Sequence, residues 1–160
     1  RINLIKNLKE LGYLVMTGFL VGLPGQTEED VINDIDLTGK LSGEIFSFGP
    51  FLPHPGTPLN GAARPKIEDA LKTIARARIS HPESKILVTS ALETLDKDGA
   101  RSGLLAGANS LMINVTPDRY QGLYEIYPDR AGTGITVSKR IESAVALLKS
   151  LGRAPADLGL

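Results

Sequence analysis

The sequence predicts an α/β fold of parallel strand–helix units, and three observations carry that reading. Apolar, β-favouring runs of strand length alternate with segments of helical spacing along the 160 residues. The first of these runs, residues 13–21, is apolar without alternation, as suits a strand covered on both faces. Glycine, proline or small polar residues cluster just past the strand ends, where parallel folds turn into their helices.

Taken in order, Ile2, Ile5, Leu8 and Leu11 predict a helix over 1–11, with Gly12 as its C-terminal stop. The strand over 13–21 follows and is broken by Gly22-Leu-Pro-Gly25. Thr27 then caps a helix running to about Leu41, with Glu28, Glu29 and Asp30 in its electropositive first turn. A second strand is predicted over 44–52, with Pro50 ending its regular pairing. A loop rich in proline and glycine spans 53–65, and a helix spans 67–80. The third strand is predicted over 85–91, a short helix over 98–107, and the fourth strand over 110–115. Helices follow near 117–126 and over 138–151, the second capped by Ser138 and closed by Gly152.

Strand–helix alternation favours right-handed crossovers and a parallel sheet. Four strands make either a small open sheet or half of an eight-stranded barrel, a fold of roughly 250 residues. The pattern alone leaves both open, and it shows neither an internal repeat nor a second domain.

Composition narrows the function classes. Lysine plus arginine equals aspartate plus glutamate at 18 each, so no basic excess points to nucleic acid. No apolar run has the length of a membrane span, and no secretory signal is visible, so a cytoplasmic protein without nucleic-acid or membrane partners is expected. The absence of cysteine excludes a disulfide framework and any cysteine-ligated metal within these residues. The chain starts at Arg1 inside an apparent helix, which reads as a fragment of a longer protein.

Ligands of parallel α/β folds bind at the carboxyl ends of the strands. Gly22-Leu-Pro-Gly25 lets backbone approach a ligand and precedes a helix start with free amides; an ordinary tight turn is the plainer reading. In Gly49-Pro-Phe-Leu-Pro-His54-Pro-Gly-Thr57-Pro, four prolines preset a stiff loop. His54 there is read as a positioned hydrogen-bonding residue, and His81, at a helix end, as a capping or surface residue. Thr89 and Ser90 offer adjacent hydroxyls, of which one at most faces a barrel interior if both are on a strand. Ser90 lacks the Gly-x-Ser-x-Gly surroundings of a nucleophile. Glu93 is read as a solvated loop carboxylate rather than a base. Tyr120 and Tyr124, four apart, are expected to share a helix face, and Lys139, Arg140, Glu142 and Lys149 to form a solvated one.

Together these segments resemble radical S-adenosylmethionine (SAM) enzymes of the FeFe-hydrogenase maturase (HydE) type, with biotin synthase and methylornithine synthase as more distant relatives. The resemblance runs from Arg1 to about Leu160. It rests on Leu-Lys-Glu-Leu-Gly-Tyr at 8–13, Val-Gly-Leu-Pro-Gly-Gln-Thr at 21–27 and Gly-Pro-Phe-Leu-Pro-His-Pro at 49–55. It continues through Ala-Gly-Ala-Asn at 106–109, Asn-Val-Thr-Pro at 114–117 and Leu-Tyr-Glu-Ile-Tyr-Pro at 123–128.

The resemblance implies the C-terminal half of a TIM-type (β/α)8 barrel over 1–160, of which about 85–160 is the biotin and thiamin synthesis associated region. It implies SAM as cofactor beside a 4Fe-4S cluster whose cysteines lie outside this chain, and a small-molecule substrate. Carried over by position, Arg1 matches an arginine that contacts SAM. Leu20 and Leu52 match apolar positions against the adenine, and Gly22 to Gly25, with Pro24, the turn beside it. Thr89 and Ser90 match hydroxyl residues of a substrate-side carboxylate site. Tyr127 matches an active-site tyrosine, with Met112 and Asn114 on the last strand nearby. The fragment alone is expected to be inactive and to self-associate through its open sheet edges. A complete small α/β binding module is the alternative; an aldolase-like barrel would need a lysine or metal ligands at strand ends, and none stands there.

Overall fold

A computed structural model of the protein describes residues 1–156 except Ser42 and Glu125. The chain folds as two units, Arg1–Met112 and Ile113–Leu160.

The first unit opens with α1 (Ile2–Glu10). Gly12, at φ +83°, ends it. Its N–H donates to Lys9 O at 2.9 Å and that of Tyr13 to Leu8 O at 3.0 Å, the paired closure that a left-handed glycine permits. This closure uses Tyr13, so β1 (Met16–Val21) starts later than expected, and Tyr13 and Leu14 are exposed. Val15 is tied instead to Glu44. Its N–H donates to the Glu44 carboxylate at 2.6 Å, and its carbonyl accepts the Glu44 N–H at 2.9 Å.

The remaining elements of this unit are α2 (Glu28–Lys40), β2 (Ile45–Pro50), α3 (Ile67–Ser80), β3 (Lys85–Val88), α4 (Ser90–Leu95), α5 (Gly99–Leu105) and β4 (Ser110–Leu111). The four strands are all parallel and lie in the order β1-β2-β3-β4. An order that never reverses sends each right-handed crossover to the same face, as in a barrel. A doubly wound sheet would reverse at a switch point. The fold class is therefore α/β, with parallel βα units of a TIM-type barrel.

The helix-covered side is the core. Phe46, Phe48, Ile74, Ile86, Val88, Leu92 and Leu104 are fully buried there. The rings of Phe46 and Phe48 meet edge-on with centroids 5.9 Å apart, and Phe19 lies 4.8 Å from Phe48. Along β1 burial alternates, leaving Met16 and Leu20 54% and 46% exposed with Gly18 between them. A Cβ at Gly18 would lie 1.9 Å from the Ser47 carbonyl oxygen, so this close approach of β1 to β2 requires glycine.

Two expectations for this unit are corrected. The third strand stops at Val88, because Thr89 turns the chain into α4, a helix that apolar spacing did not predict. The fourth strand is Ser110–Leu111 rather than 110–115, although the Met112 N–H still reaches Val88 O at 3.3 Å. His81 takes the capping role, one of its two expected alternatives, as the C-cap of α3. Its backbone N–H closes α3 on Ala77 O at 2.8 Å. Its ring meets that of Phe46 edge-on at 5.2 Å and fills the space beside Gly39.

The second unit holds α6 (Asp118–Gln121) and α7 (Val137–Ser150). Gly122 ends α6, so Tyr120 and Tyr124 do not share a helix face; both are exposed. Part of the helix expected over 117–126 falls on Glu125, outside the described residues. The cap of α7 is Thr136, whose hydroxyl accepts the Lys139 N–H at 3.4 Å, rather than Ser138. Gly152, at φ +68°, closes it as expected, with the Arg153 N–H on Leu148 O at 2.9 Å.

The Glu44 junction sets an acid limit. Its hydrogen bonds from Lys9 Nζ, at 2.8 Å, and from Val15 N–H hold the carboxyl at about 2 against an ordinary 4.5. A folded-state value below the unfolded one gives stability that is present above pH 4.5 and lost as pH falls through about 2. Urea unfolding at a series of pH values is expected to show this loss, and Glu44→Gln to flatten the slope in that window.

Candidate functional site

The carboxyl ends of β1, β2 and β3 form a short row on the sheet's open face. Leu20 is the register partner of Gly49. A Cβ at Gly49 would lie 3.4 Å from Thr89 Oγ1, in van der Waals contact. Leu20, Gly49 and Thr89 therefore stand side by side, with the glycine making a depression between an exposed leucine and a hydroxyl. Two residues that sequence reasoning assigned to different ligands, Leu20 and Thr89, are thus brought together. Gly49, which separates them, stood out in the sequence only as the start of a proline-rich loop.

The neighbouring assignments divide. Leu52, 7% exposed, is a buried residue past the end of β2. Thr89 is the N-cap of α4, accepting the Leu92 N–H at 3.3 Å, and Ser90 is the first residue of that helix. Both are buried, so they are not successive strand residues with opposed faces. Met112 is 36% exposed just past β4. Arg1 is an exposed N-cap of α1, and Pro24 is exposed in its turn. In the second unit Asn114 is half-buried and Tyr127 is buried.

The glycine turn after β1 is more self-contained than its sequence suggests. Gln26 Oε1 accepts the Gly22 N–H at 2.6 Å, and Gln26 Nε2 donates to Leu20 O at 2.9 Å. Gly22 needs its missing Cβ for φ +85° and for Pro65, whose Cβ would lie 2.3 Å away. The start of α2 carries a full capping box. Thr27 Oγ1 accepts the Asp30 N–H at 3.1 Å, and the Asp30 carboxylate accepts the Thr27 N–H at 2.8 Å. The Thr27 N–H, together with the Thr27 hydroxyl that donates to the same carboxylate at 2.8 Å, holds the Asp30 carboxyl below its usual range. The helix start expected to offer free amides to an anion is thus partly occupied by its own side chains, and three acidic residues surround it. Gln26 stood in the sequence only as part of the motif at 21–27; its bonds back to Leu20 and Gly22 follow no local pattern.

His54 has the local role expected of it. Its Nδ1 accepts the Gly56 N–H at 3.0 Å, and its carbonyl accepts the Thr57 hydroxyl at 2.9 Å, closing the loop's turn. Glu93 differs from expectation: it lies on α4, not in a loop, and burial raises its carboxyl pKa. A cavity of ≈ 660 Å³ lies between α2 and α3, lined by Val31, Lys72, Thr73 and Arg76 among others. Of the residues predicted for the site, Gly22 alone lines it. Arg76 and Glu28 pair beside it at 3.0 Å. No cluster of three or more potential metal ligands occurs among the described residues, and no helix among them is long and apolar enough to cross a membrane.

Comparison with known proteins identifies the class. The Biotin and Thiamin Synthesis associated domain matches residues 47–154, beginning within β2. The chain belongs to that family. More particularly, it corresponds to the C-terminal part of radical SAM proteins of the HydE and biotin synthase kind. It is 37% identical to the [FeFe] hydrogenase maturase subunit HydE of Thermotoga maritima over 97% of this chain and 44% of that protein. It is 34% identical to the biotin synthase of Chlorobaculum parvum over 70% of this chain and 33% of that protein. The structure of methylornithine synthase (PylB) superposes with a TM-score of 0.77 at 27% identity, covering 98% of this chain and 44% of that one. The chain thus spans less than half the length of each of these relatives.

Glu93 yields a test of the local electrostatics. Its folded-state pKa lies above the unfolded value, so its ionisation costs stability as pH rises through 4.5 and beyond. Glu93→Gln is expected to raise the melting temperature at neutral pH and to leave it unchanged well below pH 4.5, as read by thermal denaturation at both pH values.

Proposed function

We propose that the chain is part of a cytoplasmic radical SAM enzyme, acting on a small-molecule substrate, and that it supplies one wall of the SAM and substrate cavity. The observation that supports this best is the row Leu20, Gly49 and Thr89 at the carboxyl ends of three consecutive parallel strands. An exposed leucine beside a glycine depression suits the flat face of a purine, and the neighbouring hydroxyl suits a polar substrate group.

These 160 residues contain no cysteine, so a thiolate-held 4Fe-4S cluster draws its ligands from elsewhere in the parent protein. In the parent such a cluster would supply one electron to bound SAM, whose cleavage would give methionine and a 5′-deoxyadenosyl radical. The tasks of this chain's residues are binding, orientation and exclusion of water. In this reading Arg1 contacts SAM, Leu20 and Leu52 pack its adenine, and Gly22 and Pro24 shape the adjoining turn. Thr89, Ser90, Met112, Asn114 and Tyr127 belong to the substrate side. The relatives' names divide between a hydrogenase maturase, biotin synthases and a methylornithine synthase, so the reading extends to the radical chemistry and not to one named substrate.

Two measurements test it. In the intact parent, Arg1→Ala is expected to weaken SAM binding about tenfold, the scale of one charge-assisted hydrogen bond. Undiminished affinity in a calorimetric titration removes Arg1 from the site. The separate 160-residue chain, with β1 and β4 as open edges, is expected to self-associate. A clean monomer by light scattering at high concentration would overturn that.

A further inference from the structure

Glu93 is a half-buried carboxylate that the fold does not satisfy. It lies on α4, which packs against β2 and α5. A Cβ at Gly99 would lie 2.3 Å from Leu92 O and 3.2 Å from Glu93 N, so the start of α5 presses on α4 at this residue. Burial raises the Glu93 carboxyl pKa, and no hydrogen bond or charge among the described residues offsets it. A carboxylate in such surroundings costs stability unless a cation pairs with it. Packing alone would be served as well by glutamine, which has nearly the same shape and no charge.

The carboxylate stands beside the strand-end row. Glu93 is four residues past Thr89 and three past Ser90, the two spacings that share a helix face. Its N–H donates to Thr89 O at 3.4 Å, which closes the turn between them. Leu92 marks the core side of α4, since a Cβ at Gly103 would lie 3.0 Å from both Leu92 Cδ2 and Val88 Cγ2. Thr89 in turn borders the Gly49 depression. One helical turn therefore separates the carboxylate from the hydroxyl that edges the depression, and every residue involved belongs to the first unit.

The chemistry selects the class of ligand. Attraction between a carboxylate and a cation strengthens as water is withdrawn from the pair. A divalent metal ion would need about six oxygen ligands, and no group of three or more His, Asp or Glu side chains gathers here among the described residues. An ammonium group needs one carboxylate and a neighbouring acceptor or two. We propose that Glu93 pairs with an ammonium group of the substrate beside the Gly49 depression. The proposal rests on the reading of Leu20, Gly49 and Thr89 as a wall of the substrate cavity, and it gives that wall a preference for positive charge.

The test uses the intact parent protein, deuterated, 13C-labelled at leucine and threonine methyls, with any bound cluster in its diamagnetic state and ionic strength held constant. The probe is n-butylammonium, and n-butanol is its neutral counterpart. Both are expected to shift the Leu20 and Thr89 methyl signals. The amine is expected to half-saturate at about a tenth of the alcohol's concentration, the scale of one charge-assisted hydrogen bond. Glu93→Gln is expected to raise the amine's half-saturation about tenfold and to leave the alcohol's unchanged. Glu93→Asp, which keeps the charge on a shorter arm, is expected to recover part of the loss. A Glu93→Gln protein that melts higher yet binds the amine as before reveals a merely structural carboxylate; that result overturns the pairing and leaves the strand-end reading standing. Magnesium chloride producing the same shifts as the amine overturns the ammonium class. If neither amine nor alcohol moves the Leu20 or Thr89 methyls, the strand-end reading and this inference fall together.

Discussion

Side-by-side pairing of four parallel strands in chain order is the constraint on which the first unit depends. Because the order never reverses, the crossovers carry the helices to one face, and the other face is left to the strands' alternate residues. The close approach of β1 and β2 makes this pairing possible. Gly18 has no side chain to meet the Ser47 carbonyl, and the register that follows aligns Leu20 with Gly49. The depression at the carboxyl ends is a consequence of the same register, so the strand pairing and the candidate site have a single origin.

The turns around that depression are held by short-range polar bonds. Gln26 satisfies the backbone of the glycine turn, Thr27 and Asp30 satisfy each other across the start of α2, and His54 closes its own loop. Such bonds fix loop shape without drawing on a ligand, and they lower the ordering cost when one binds. They also redistribute roles. The residues that looked most like anion contacts, the amides at the start of α2, are among those already engaged. The strand-end pair of Leu20 and Thr89 remains the better-placed surface.

Much of the architecture was legible from the residues. Spacing located α1, α2, α3 and α7 within a few positions, because helix faces and glycine stops are encoded locally. The apolar runs located all four strands, but not their ends. The third and fourth were read too long because Thr89 and Asn114 turn the chain by hydrogen-bonding their own neighbours, a choice that apolar periodicity does not register. The site was legible in outline through its resemblance to known enzymes, while the roles of Gly49 and Gln26 within it were not. Their importance comes from partners across a register or around a turn. Arg140 was misread for a related reason: on a helix diagram its charge belongs to the outer face, and only the return of residues 114–116 and 132–134 gives its guanidinium the Asn114 and Gly132 carbonyls and Gln121 Oε1 as acceptors.

The sequence by itself determined the alternation of strands and helices, the capping of α2, the glycine closures and the membership of a family, since each depends on residues near in the chain or on a pattern shared with relatives. The tertiary structure decided which face of the sheet stays open, which strand ends adjoin, and which polar groups remain unsatisfied. Those properties depend on pairs far apart in sequence, such as Gly18 with Ser47 or Asn114 with Arg140, and a linear pattern carries no record of the distance between them once the chain has folded.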